Sequence, residues 1–296
     1  MSDFWHWWII AIVLGSLSGC VWLIRWTQTP QEGETPVGAP TGHMYDGIEE
    51  FNNPLPRWWL GLFYITIVFA LIYLALYPGL GHYEGMLGWT EIKQLQQEKQ
   101  AAEDKFGPIF KEYAKQDIAT LAKDEKALGI GKRLFLNNCS VCHGSAAMGA
   151  KGFPNLTDND WLYGGEPKTI EKTILDGRRG QMPALAEAIG GPEAVAQVAA
   201  YVQSLSGMPH DAKLAVAGKE KFAVCTGCHN PAGTGNQIVG APNLTDKIWL
   251  YGRSEATIKE AVEKGHLGVM PAHRGLLGED KVHILAAYIY SLSQKK

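Results

Sequence analysis

Two stretches of this 296-residue chain carry the same run of reactive side chains, Cys139-Ser-Val-Cys142-His143 and Cys225-Thr-Gly-Cys228-His229, and they use four of its five cysteines. A thioredoxin-like thiol pair needs a neighbouring βαβ pattern, and a zinc site needs two more ligands at short spacing. The flanking sequence supplies neither. Cys-x-x-Cys-His is the attachment signature of c-type haem: the two thiols add to the vinyl groups, and the adjacent histidine ligates iron from one face. The spacing therefore predicts two covalently bound c-type haems, on Cys139 with Cys142 and on Cys225 with Cys228, with His143 and His229 as axial ligands.

The second axial ligand is sought among soft donors. Gly177-Arg-Arg-Gly-Gln-Met182-Pro and Gly265-His-Leu-Gly-Val-Met270-Pro place a methionine at equivalent points. Thioether sulfur favours ferrous iron and raises the potential, as electron transfer requires. Met148 and Met208 compete, and His266, His273 and His283 offer a bis-histidine alternative in the second half, with only His210 in the first. With His and Met on both irons, neither has an open position for oxygen or peroxide. Trp161, Tyr163, Trp249 and Tyr251 read either as haem-edge groups or as ordinary core. Arg178, Arg179 and Arg253 read either as propionate partners or as solvated cations.

These residues belong to an internal repeat. Gly131-Lys132 and Phe135 recur 87 positions later as Gly218-Lys219 and Phe222, and Pro154-Asn-Leu-Thr157, Trp161-Leu-Tyr-Gly164 and Met182-Pro183 recur 88 positions later. Each repeat ends on a helical pattern, Val195, Val198, Ala199, Val202 and Leu205, matched by Val282, Leu285, Ala286, Ile289 and Leu292. The expectation is two all-helical modules, 127–210 and 211–296, each closed by its own last helix and each needing the haem to complete a small core. Ahead of them, 83–126 is rich in Lys, Glu, Gln and Ala and reads as an exposed, partly helical linker interrupted at Gly107-Pro108.

The first 82 residues differ in kind: they hold two Lys/Arg and six Asp/Glu, against 25 and 24 in the rest. The run Phe4–Trp26 has one full charge, Arg25, and Trp58–Tyr77 has none. Both are long enough to cross the hydrocarbon core of a bilayer, giving spans over about 4–26 and 58–80 joined by an irregular, acidic loop, 27–57. Seven of the ten tryptophans lie in these runs, at or near their ends, where indoles favour the membrane interface. Leu17-Ser-Gly-Cys20 resembles a lipoprotein-processing site. A signal sequence, however, has a basic start and a short apolar core, whereas this run starts with Asp3 and stays apolar past Cys20, so it is expected to remain as a span with Cys20 a packing residue. Arg25 and Arg57 bracket the loop and put it in the cytoplasm by the positive-inside rule, with both termini outside. A formal charge of only −3 argues against a nucleic-acid partner.

Together these features resemble the dihaem subunit of cbb3-type cytochrome c oxidase, the CcoP/FixP family. The resemblance rests on the two spans, on His43-Met-Tyr-Asp46-Gly47-Ile48 through Asn52-Asn53-Pro54-Leu55-Pro56 and Trp58-Trp59, and on the paired haem motifs with their Asn-Leu-Thr and Met-Pro companions. It implies an all-α protein with two transmembrane helices followed by tandem cytochrome c domains, in the bacterial inner membrane with its haems in the periplasm. It also implies partners: membrane lipid, a catalytic subunit with b-type haem and copper, a monohaem cytochrome c subunit, and a donor cytochrome c. On that reading the chain is the electron-transfer part of an oxidase whose oxygen chemistry occurs in another subunit. The rival expectations are a dihaem cytochrome of another membrane complex or a lone carrier, and, more distantly, a dihaem peroxidase or haem sensor.

Overall fold

The computed structural model describes residues 1–29 and 32–294, and the chain divides after Asp104 into two compact units. The first unit contains α1 (Asp3–Gln28), a hairpin of β1 (Pro40–Tyr45) and β2 (Ile48–Phe51), and α2 (Arg57–Leu76). Both α1 and α2 are long and apolar enough to span a membrane. Their large side chains lie open, Trp58 at 71% and Phe69 at 66%, which is the surface that lipid covers. Two details differ from the sequence reading. α2 stops at Leu76 rather than near 80, because Tyr77 precedes Pro78 and takes an extended conformation. The loop is not wholly irregular, since the Asp46-Gly47 turn, with φ of 49° and 83°, closes the hairpin.

α3 (Glu91–Ala114) runs unbroken through Pro108, where an interruption is expected. Tyr113 near its end packs on the core of the second unit, and that packing offsets the roughly 3 kcal/mol cost of an internal proline. The helices α4 (Ile118–Leu121), α5 (Glu125–Asn138), α6 (Ser140–His143) and α7 (Pro167–Asp176) follow, then strand β3 (Arg178–Met182), α8 (Ala186–Ile189) and α9 (Pro192–Leu205). The second repeat gives α10 (Ala212–Lys221), a 3₁₀ turn (Phe222–Cys225), α11 (Thr226–His229), α12 (Glu255–Lys264), strand β4 (His266–Met270), α13 (Arg274–Leu277) and α14 (Glu279–Gln294). Asp117, Asp124, Asp211 and Ser254 cap α4, α5, α10 and α12 with side-chain hydrogen bonds, and Pro167 and Pro192 open α7 and α9.

The repeats do not close on their own last helices. α14, from the end of the second repeat, packs on α4, α5 and α7 of the first, while α9, from the end of the first, packs on α10 and α12 of the second. One core therefore joins Leu121, Phe135, Ile170 and Ile174 to Val282, Leu285 and Ala286. The other joins Val195, Val198 and Ala199 to Phe222, Ile258 and Val262. Only residues 206–211 separate α9 from α10, so the two pair as neighbours in sequence. The repeated glycines mark the helix crossings: a Cβ on Gly131 would lie 2.5 Å from that of Tyr288, and one on Gly218 would run into the Gln197 carbonyl.

The chain crosses between the two cores through an antiparallel ribbon of β3 and β4, with Arg178 opposite Met270, Gly180 opposite Gly268 and Met182 opposite His266. This sheet has no counterpart in an all-helical reading. Each strand is only five residues long; β3 is polar or glycine at four of its five positions, and the alternation of Leu267 and Val269 in β4 is too short to stand out as a strand.

Candidate haem sites

The first motif begins where α5 ends. Phe135, fully buried, anchors the helix one turn before Cys139, and the α6 turn then brings Cys139, Cys142 and His143 together, with the Cys142 and His143 amides both donating to the Cys139 carbonyl (3.2 and 3.0 Å). In the second motif one residue fewer separates Phe222 from Cys225. The 3₁₀ turn, tighter than an α-turn, absorbs the difference. Cys139 is half-buried and Cys225 buried, while Cys142 and Cys228 are exposed. Burial, with the neighbouring Cys142, pushes the Cys139 thiol up to about 11, and burial raises Cys225 in the same way. Cys139 and Cys225 are thus held as neutral thiols.

The histidines are oriented identically. Nδ1 of His143 lies 3.0 Å from the Pro154 carbonyl, and Nδ1 of His229 lies 3.0 Å from that of Pro242. A carbonyl only accepts, so each Nδ1 carries the proton and each Nε2 is left as the unprotonated donor that iron takes. Burial lowers the pKa of His229, further favouring the neutral ring. Sequence reasoning found the Pro-Asn-Leu-Thr repeat without its role. Asn155 Oδ1 accepts from the amide and hydroxyl of Thr157 (2.8 and 2.7 Å), and Asn243 does the same for Thr245 (3.0 and 2.7 Å). These Asx turns hold the proline carbonyls in front of the rings.

The methionines sit in the ribbon, half-buried and crossed. Met270 packs on the core that contains Phe135 and Cys139, and Met182 on the core that contains Phe222 and Cys225. Gly177 and Gly265, at φ of 72° and 71°, make the turns into the strands, and the backbone of Met270-Pro271 and of Met182-Pro183 lies directly against them. Of the competing donors, Met148 is 67% exposed, and Met208 lies at the edge of the second core. His283 has both ring nitrogens engaged, by Glu171 and by the Gln116 carbonyl. His210 is exposed, with Nδ1 on the Met208 carbonyl.

Trp161 packs into the first core and Trp249 into the second. Arg178 lies over the Tyr163 ring at 4.7 Å, and at the equivalent place His266 stacks on Tyr251 at 3.8 Å. Arg179 points to the outer face of β3, and Arg253 is exposed. Enclosed but without a protein partner are His266 Nε2 and His273 Nδ1. A buried polar atom left unpaired is costly, and a haem, which brings its own carboxylates into such a pocket, satisfies that need. Paired cysteines, histidines whose Nδ1 is taken by a carbonyl, and orphaned ring nitrogens fit the group that the motif implies.

The comparisons with known proteins agree. Residues 38–84 match the family described as the N-terminal domain of cytochrome oxidase-cbb3, FixP, and residues 126–202 and 215–289 match cytochrome c oxidase, cbb3-type, subunit III. The chain is 48% identical to a cbb3-type cytochrome c oxidase subunit CcoP of Rubrivivax gelatinosus, over 99% of this chain and 98% of the relative. It is 43% identical to a FixP subunit of Bradyrhizobium sp. ORS 278, over 87% and 96%, and 40% identical to a CcoP subunit of Cereibacter sphaeroides, over 88% and 95%. With its two candidate membrane helices and its haem motifs, the chain belongs to the CcoP/FixP family, subunit III of cbb3-type cytochrome c oxidase.

Proposed function

We propose that this membrane-anchored chain carries two c-type haems in crossed sites and relays electrons within a cbb3-type oxidase. Cys139, Cys142, His143 and Met270 would hold one haem, and Cys225, Cys228, His229 and Met182 would hold the other. The observation that carries this reading is the packing of each methionine on the core that holds the other repeat's cysteines. Haem iron supplies the one-electron chemistry. The chain fixes the histidine tautomer through Pro154 and Pro242, and with a histidine and a methionine for each iron it would supply the soft sulfur that raises the potential and suits electron relay rather than oxygen or peroxide chemistry.

Arg25 and Arg57 beside the 27–57 loop support a two-pass arrangement in the bacterial inner membrane, with the haem-bearing unit and the N-terminus in the periplasm. A donor cytochrome c passes electrons to the chain there. From the two haems they go to a monohaem cytochrome c subunit and on to a catalytic subunit with b-type haem and copper. The relatives' description as cbb3 oxidase subunits supports these partners.

The test is spectroscopic. A pyridine haemochrome assay of the purified complex should show two c-type haems in this subunit, and loss of either motif should leave one. Met270→Ala should lower one potential and open one ferrous haem to carbon monoxide. Combining it with His143→Ala should leave the other haem unaltered, whereas combining it with His229→Ala should disturb both. The reverse pattern would show each methionine serving its own repeat. Isolation as a stable lone cytochrome, with no b-haem and copper subunit, would overturn the oxidase assignment.

A further inference from the structure

The two sites share one backbone tie for the methionine segment: the His273 amide donates to the Ile174 carbonyl (3.0 Å), and the Leu185 amide donates to the Val262 carbonyl (2.8 Å). Beyond that they diverge. At the first site His283, on α14, reaches back to α7, its Nδ1 2.6 Å from Glu171 Oε1, while its Nε2 lies 2.8 Å from the Gln116 carbonyl between α3 and α4. The carbonyl and the carboxylate between them engage both ring nitrogens, which fixes the imidazole against α7 and the α3–α4 turn. The side chains of the pair are only 9% and 15% exposed, where an ion pair is little screened, and Lys168 holds the other Glu171 oxygen at 2.8 Å. Closer to the methionine, Arg274 bridges to Asp176 at 2.8 Å.

The second site has none of this. The positions equivalent to His283 and Glu171 are Ala196 and Lys259, and those equivalent to Arg274 and Asp176 are Ala186 and Lys264. Lys259 and Lys264 pair instead with Glu255 and Glu260 on their own helix. The 88-residue duplication thus produced one methionine segment held by an ionic brace between repeats and one held by backbone and apolar packing.

We propose that His283 is the positioning residue that keeps Met270 on the iron of the first site, and that the unbraced second site is where a small neutral ligand, carbon monoxide or an imidazole, displaces methionine first. This rests on the crossed ligation proposed above. Only Pro271 to His273 separate Met270 from α13 and only Gly278 separates α13 from α14, so a tie at His283 limits how far that segment can lift from the Cys139 core.

The test uses the full-length, haem-loaded protein and needs no variant at first. Titration with imidazole should replace one methionine at a severalfold lower concentration than the other, and the haem affected first should be the one that Met182→Ala alters. In His283→Ala the haem that Met270→Ala alters should become equally susceptible, and its potential should fall while the other holds. His283→Lys, which supplies a donor to Glu171 from the same position, should restore most of the difference. Equal susceptibility of the two haems in the unmodified protein, or His283→Ala and His283→Lys behaving alike, overturns the proposal. If Met270→Ala instead alters the haem that His229 ligates, it is the crossed ligation that fails.

Discussion

Met270 lies opposite Arg178 in the β3–β4 ribbon, so the methionine of the second repeat is held by the strand that leaves α7 of the first. The turn before that strand is Gly177, at φ 72°, with the Met270 and Pro271 backbone where a Cβ would stand. Gly177→Ala should therefore cost about 1–3 kcal/mol, through left-handed strain and the clash, and should disturb the haem bonded to Cys139. Gly265→Ala, at φ 71° and against Met182, should cost as much and disturb the haem bonded to Cys225. Thermal unfolding and redox titration of the two variants check both halves of the expectation, and an effect confined to the haem bonded to the other repeat's cysteines would contradict it.

The Asx turn at Asn155 makes a second prediction with a definite sign. Its side chain holds Thr157 and so the Pro154 carbonyl that accepts from His143. That hydrogen bond makes the imidazole a stronger donor and favours ferric iron. Asn155→Ala should loosen it and raise the potential of the first haem alone. Asn243→Ala should do the same at the second, and spectroelectrochemistry would show a fall or no change if the turns serve only the loop.

The motifs that name the chemistry were readable because thioether attachment demands a fixed spacing, and the helices because Val195 to Leu205 and Val282 to Leu292 repeat with the helical period. Which repeat each helix serves was not readable. Gly131 and Gly218 occur at the same point of each repeat whether α5 crosses α14 or α9, and local periodicity cannot express that choice. The ribbon escaped for a related reason: β3 has no apolar alternation, that of β4 spans only Leu267 and Val269, and the pairing joins residues 84 to 92 apart. His283 was weighed as an iron ligand by residue type, and only its two acceptors, on distant segments, show that its nitrogens are taken.

Asp160 is a place where folding works against a charge. Burial, then the nearby Asp246 and Asp158, push its carboxyl up to about 6 from an ordinary 3.8. A raised carboxyl pKa means that the folded state binds the proton more tightly, so stability declines as pH rises from about 4 to about 6 and stays lower above that. Asp160→Asn should stabilise the protein at pH 7 and make little difference at pH 4. Melting temperatures of the variant and the unmodified protein at the two pH values measure it, and an equal effect at both would mean that the charge is not the cause.

Glu171 titrates in the opposite sense. Burial alone would raise its carboxyl, but the hydrogen bonds from Lys168 and His283 outweigh burial and hold it below its ordinary 4.5. Its contribution is therefore complete above pH 4.5 and is lost as pH falls through the lower folded value. Removing one partner of a sealed ion pair costs about 3–5 kcal/mol. With the Glu171 side chain 15% exposed, Glu171→Gln should cost somewhat less, about 2 kcal/mol, at pH 6. That deficit should shrink as both proteins are acidified below pH 4.5. Denaturant unfolding of the two at pH 6 and at pH 3 measures the difference. A deficit that persists undiminished at pH 3 would mean that Glu171 acts through its shape rather than its charge, and the brace between α7 and α14 would then not be ionic.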